Sequence, residues 1–269
     1  MLNNDVHAAI QSLIGTGIFS CGVLALALLE TYRQRKLRIV RFARAATRGC
    51  RSERAAAFAL ARVIFAGVQR GPDPVFITRM LVPLGASPAA VLDEGGCCSG
   101  IHRLFIACLD AIGIRSAQIT LYSQGPRAVH CLAQVETAAA RIIIDVDYGV
   151  WLKHPGGGAI GLADLQAGVS PTIEPFELHS QAHSVGEAEP PRPAGYPAHG
   201  YYQFDFSLTR TANWTKNSIR RSIYRALHRL TAGRVDCLLL PPILEWPEVL
   251  LAAAVTAVAL AGATAYALI

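Results

Sequence analysis

The sequence predicts an α+β fold in which a thiol-bearing helix packs against an antiparallel sheet, flanked by terminal helices long enough to cross a membrane. Three observations carry this. Apolar residues recur at helical spacing after Gly95-Gly96-Cys97-Cys98, through Ile101, Leu104, Phe105, Cys108, Leu109 and Ile112. Three later runs, 115–122, 129–136 and 141–147, alternate with the period of two that strands require. Two stretches, Ile10 to Leu29 and Val249 to Ile269, run for twenty and twenty-one residues without a charge.

Ile10 to Leu29 is long enough to cross a bilayer, since twenty residues rise about 30 Å as a helix. Its Gln11, Ser12, Gly15, Thr16 and Gly17 leave a buried helix as an alternative. The leader holds Asn3, Asn4 and Asp5 instead of basic residues, which argues against a cleaved secretion signal. Nine basic residues follow between Arg33 and Arg54, and six more between Lys216 and Arg234 precede the second stretch. By the positive-inside rule this placement puts the intervening domain in the cytoplasm and both chain ends outside. Such flanks also suit anionic lipid headgroups.

Ser52 to Gln69 reads as a helix with an apolar face through Phe58, Val63, Ile64 and Val68, packed beside the thiol-bearing helix. Gly71-Pro72-Asp73-Pro74 breaks it, and Val75 to Leu84 reads as a short second helix. The next helix runs from Ser99 to Ala111, with Cys98 or Ser99 as its cap and Gly113 as a left-handed terminator. Arg103 and Asp110 mark its polar side.

In the strands, Ala117, Ile119 and Leu121 oppose Ser116, Gln118 and Thr120, and His130 falls opposite Val129 and Cys131. In the third, Ile142, Ile144 and Val146 share one face, Ile143, Asp145 and Asp147 the other. Thr137 to Ala140 is the expected hairpin, which would bring His130 beside Asp145 and Asp147. Pro155 to Gly158 is a loop, Leu162 to Ala167 a short helix, and His183 to Gly200, with four prolines, a linker. Tyr201 to Phe206 is strand-like, and Asn217 to Leu230 is a basic amphipathic helix.

Cys98, His130 and Asp145 supply, in order, a thiol at a helix N-terminus, an imidazole and a carboxylate. A helix N-terminus favours thiolate over thiol and can stabilise an oxyanion. A carboxylate beside an imidazole fixes its tautomer and supports its charged form. That set points to acyl transfer at a carbonyl. The plainer alternatives are cysteines used as small core residues and aspartates at a solvated strand end. Cys97-Cys98 with His102 does not match zinc-ligand spacing, so no metal is expected, and the chemistry calls for no cofactor.

GGCCSGIHRLFIACLDAIGIRS, AVHCLAQVE and RIIIDVDYG resemble, in order and spacing, the core motifs of the transglutaminase-like superfamily, which shares a papain-like fold and a Cys-His-Asp triad. The resemblance covers about a fifth of the chain. It implies Cys98 as nucleophile, with Gly96 as the G of G-x-C, His130 as base and Asp145 instead of Asp147 as its orienter. Cys131-Leu132 stands where the family has Ala-Trp, and Asp145-Val146 where it has Asp-Pro. The implied activity is acyl transfer on a peptide or protein amide, with hydrolysis expected over crosslinking. The rival is a catalytically silent binding or assembly module of the same fold at the membrane.

On this reading the chain divides into an apolar helix (1–32), a basic juxtamembrane segment (33–55), a catalytic core (56–182), a linker (183–200), a strand with a basic helix (201–245) and a C-terminal membrane helix (246–269). Apolar residues make up 52% and charged ones 16% of the 269 residues, which fits membrane contact better than a freely soluble enzyme. Seven cysteines without disulfide-framework spacing suit a reducing compartment. The net charge of +6 could serve polyanions, but with no stacking platform or binding motif nucleic acid is disfavoured.

Overall fold

The computed structural model describes residues 4–74, 86–122, 128–176, 209–211, 218–232, 243 and 246–268. The architecture is α+β: a five-stranded antiparallel sheet with helices packed on it, and two terminal helices long and apolar enough to cross a membrane. The expected helix at 75–84, the linker at 183–200 and the strand at 201–206 lie outside the described residues.

α1 (Asn4–Ala46) is one continuous helix of 43 residues, joining the first apolar stretch to much of the basic segment after it. No proline or glycine pair interrupts residues 23–46, so nothing breaks the backbone ladder between the two compositions. Its far end enters the core through Ile39 and Ala43. A basic helix, α6 (Ser218–Thr231), forms where the sequence predicts one at 217–230, and α7 (Pro247–Leu268) runs antiparallel to α1: Tyr32 meets Trp246 edge-on at 5.2 Å, and Gly262 packs against Ile18.

α2 (Glu53–Gly67) starts at Ser52, whose side chain accepts the Ala55 N–H at 3.1 Å. Its buried face is Ala56, Ala57, Leu60, Ala61, Ile64 and Phe65, whereas Val63 is exposed. Of the expected face, Ile64 and Val68 are buried and Phe58 packs against the core, while Val63 alone turns outward and alanines fill the rest of the buried side. α3 (Pro88–Glu94), which the sequence reading passed over, opens on Ser87 as cap with Pro88 in its first turn, a legible start signal.

α4 (Cys98–Ala111) is the central helix. Gly100 to His102 and Leu104 to Leu109 are all buried, and α4 packs against α1, α2, α3 and two strands, so its apolar surface extends well beyond one face. It ends in a Schellman motif: Gly113 at φ +80° donates to the Asp110 carbonyl, and Ile114 donates to that of Leu109. Its cap is Cys97, with no side-chain capping bond, and not Cys98 or Ser99 as expected.

The sheet is a meander in the order β1 (Ser116–Tyr122), β2 (Ala128–Glu136), β3 (Arg141–Asp145), β4 (Val150–Lys153) and β5 (Thr172–Pro175). The β2–β3 hairpin closes at the expected place without glycine: Thr137 N–H and hydroxyl both donate to the Ala140 carbonyl. β3 stops at Asp145, short of the expected Asp147, because the chain turns through Val146–Gly149 into β4. The helices cover one sheet face over Ala133, Val135, Ile142 and Ile144. α5 (Leu162–Gln166) covers the other, over Leu132 and Ile143. Burial on both faces explains the unbroken Ile142-Ile143-Ile144 run.

Candidate active site

Cys98 is the first residue of α4, approached through Gly95-Gly96. Gly95 sits at φ +85°, and a Cβ there would lie 2.4 Å from the Gln69 carbonyl oxygen. The Gly96 N–H donates to that carbonyl at 3.1 Å, and the Gly71 N–H donates to the Gly96 carbonyl at 3.2 Å. Asp73 lies over the turn and accepts the Cys97 N–H at 2.9 Å. A Cβ on Gly100 would fall 2.2 Å from that carboxylate, so glycine is required there to admit it.

His130 lies near the start of β2, where the register with β1 shifts between Leu121 and Tyr122. Such a bulge re-aims a side chain. The His130 Nε2–H donates to Asp145 Oδ2 at 2.7 Å, and the Cys98 thiol acts on the same ring, helping to hold its proton. Asp145 is fully buried, and its other oxygen accepts the Tyr148 N–H at 3.1 Å. The Tyr148 ring meets the imidazole edge-on at 5.1 Å. All three residues singled out in the sequence therefore converge. Asp147 does not join them: its side chain lies 3.3 Å from Arg70 Nε, and its carbonyl accepts two bonds from that guanidinium.

Burial works against charge on His130, but the Asp145 carboxylate, the bond to it and the contact with Cys98 hold the ring well above the usual histidine range. The helix terminus led us to expect a depressed Cys98 thiol, yet it is raised. The bond with Cys131 is the largest cause, opposed by the bond with Cys97, with burial raising and the His130 bond lowering it. Cys131 is correspondingly lowered, chiefly by its bond with Cys98, so the two thiols compete for one negative charge. Chemically, the centre offers a sulfur beside an imidazole that can take its proton and stay charged.

Sequence reasoning missed His102, weighed only as a metal ligand, and gave no role to Asp73, Arg70 and Tyr148. A signal for His102 existed: it is a polar residue one turn after Cys98, between Ile101 and Leu104 on the buried face. Among the described residues, no group of three or more His, Cys, Asp or Glu side chains is arranged to hold a metal ion.

The fold and site together define an α+β domain with a thiol, imidazole and carboxylate at the junction of a central helix and a sheet. No family model matches the chain, and no curated protein does. Among solved structures, it is similar to a "putative protease" of Parabacteroides distasonis at 17% identity and a TM-score of 0.33, over 48% of this chain and 26% of that one. The chain thus spans about a quarter of that protein's length, the matched share being 26%.

Proposed function

We propose that this chain is a membrane-anchored cysteine acyl-transfer enzyme of the transglutaminase-like type, acting on peptide or protein amides with water as the favoured acceptor. The observation that carries it is the 2.7 Å bond between His130 and Asp145, with the Cys98 thiol on the same imidazole. Cys98 passes its proton to His130 while the sulfur bonds to the amide carbonyl carbon. Among the described residues no protein group accepts the Cys98 N–H, which leaves it free to meet the developing oxyanion. The C–N bond breaks as His130 returns the proton to the leaving amine. Water then adds to the thioester, gives a proton to His130 and releases the acid as the C–S bond breaks. An amine in place of water would crosslink. Asp145 keeps the ring oriented and offsets its charge.

A second reading, a silent binding module, is favoured by one observation: Cys131 and burial hold the Cys98 thiol up instead of down. Iodoacetamide labelling of the full chain and its Cys97→Ala, Cys98→Ala and His130→Ala variants separates the two. An enzyme labels rapidly at Cys98 and loses about 100-fold in rate without His130. Equal, slow labelling of Cys97 and Cys98 would establish the module.

The membrane assignment is supported by the exposed apolar surface of the helix pair, including Phe19, Leu26 and Leu260. Exposed Arg41, Arg44 and Arg48 toward the end of α1 and just past it support a cytoplasmic catalytic domain.

A further inference from the structure

His102 is a fully buried titratable residue that the chemistry above does not use. It stands one turn after Cys98 on α4 and bonds to the backbone of two of the three elements that carry the proposed triad, α4 and the end of β3. Its Nδ1–H donates to the Cys98 carbonyl at 2.7 Å, and its Nε2 accepts the Val146 N–H at 3.1 Å. These partners fix the tautomer. A carbonyl only accepts, so Nδ1 carries the proton; an amide N–H only donates, so Nε2 presents its lone pair. The ring is therefore neutral while both bonds stand.

Val146 directly follows Asp145, where β3 ends, and its N–H points into a buried region instead of a strand ladder. The imidazole supplies the missing acceptor. One small rigid ring thus links the backbone of Cys98 to the residue beside Asp145. Its Nε2 lies 3.6 Å from Asp145 Oδ1, too far for a hydrogen bond, and the ring meets His130 edge-on at 6.0 Å. A leucine could fill the same volume, but it would leave the Val146 N–H without a partner.

We propose that His102 is a positioning residue: a neutral strut between the first turn of α4 and the end of β3 that sets the gap in which His130 meets both Cys98 and Asp145. The proposal rests on Cys98 being the nucleophile only for its effect on reactivity. Its effect on the His130–Asp145 bond stands by itself.

The test uses the full chain in detergent micelles with two readouts: the rate of Cys98 alkylation by iodoacetamide against pH, and the downfield proton resonance of the His130 imidazole bonded to Asp145. His102→Ala is expected to slow alkylation at neutral pH by about 10- to 100-fold, move its midpoint upward and abolish the resonance. His102→Gln, whose Oε1 can accept the Val146 N–H, is expected to restore the resonance and most of the rate. A merely structural role would lower thermal stability in both variants while rate, midpoint and resonance stayed those of the parent in folded protein, and that result overturns the proposal. If His102→Ala does not fold, His102→Asn, which keeps only the helix-side donor, replaces it; a parental resonance in both Asn and Gln variants overturns the proposal equally. A parent that shows the resonance without rapid alkylation sinks the nucleophile reading and leaves the strut standing.

Discussion

The Cys98 thiol is acted on by Cys97 beside it and by Cys131 on β2, and Cys131 is the largest influence raising it. Replacing Cys131 by alanine removes that influence, so the midpoint of Cys98 alkylation against pH is expected to fall. Iodoacetamide rates across neutral and alkaline pH measure it, and a midpoint that rises would show that Cys131 does not hold the thiol up. The triad candidates were legible because each is a scarce residue type at the spacing of a helix followed by a hairpin. His102, Asp73 and Arg70 were not, since they act through backbone groups 44, 24 and 77 residues away. Nothing local in a sequence announces which distant carbonyl or N–H a side chain will meet.

The turn between α3 and α4 is held by a backbone that only glycine can follow. Gly95→Ala must accept both the positive φ and an overlap with the Gln69 carbonyl, so it is expected to cost about 3 kcal/mol in chemical denaturation and to slow Cys98 labelling. Gly113→Ala is the control: its φ is also positive but its surroundings are open, so a loss of about 1 kcal/mol with unchanged labelling is expected. Periodicity showed α4, the first three strands and the hairpin, because each alternates or repeats against one dominant core. On α2 it placed Phe58, Ile64 and Val68 correctly but misassigned Val63 and overlooked the alanines that carry the close packing. It also passed over β4 and β5, four residues each, too short to display a period.

At the scale of the molecule, the antiparallel pairing of α1 and α7 leaves the thiol-bearing domain at one end of a two-helix stalk. Part of the basic segment read as a lipid-facing flank is used inside the protein. Arg35 pairs with the fully buried Glu248 of α7 and donates to Ser87 Oγ, the cap of α3, at 3.1 Å, while Arg38 pairs with Asp93. These ties connect the stalk to the helix that leads into Gly95 and Cys98. Burying Glu248 is tolerable only because Arg35 compensates it. With exposed arginines near the domain side of α1, a reporter enzyme fused after Ile269 is expected to be active only outside the cytoplasm. Cytoplasmic activity of that fusion would reverse the proposed orientation.

By itself the sequence determined the class of fold, the thiol-bearing helix, the hairpin joining β2 to β3 and the two membrane-length helices. These follow from short-range periodicity and from runs of composition. Only the tertiary structure decided that Asp145 meets His130 while Asp147 turns to Arg70, that Cys131 opposes ionisation of Cys98, and that His102 ties α4 to the end of β3. Those outcomes depend on a bulge, a strand end and the approach of two elements. A sequence records which residues are present, but the distances that make them partners exist only once helix and sheet have packed.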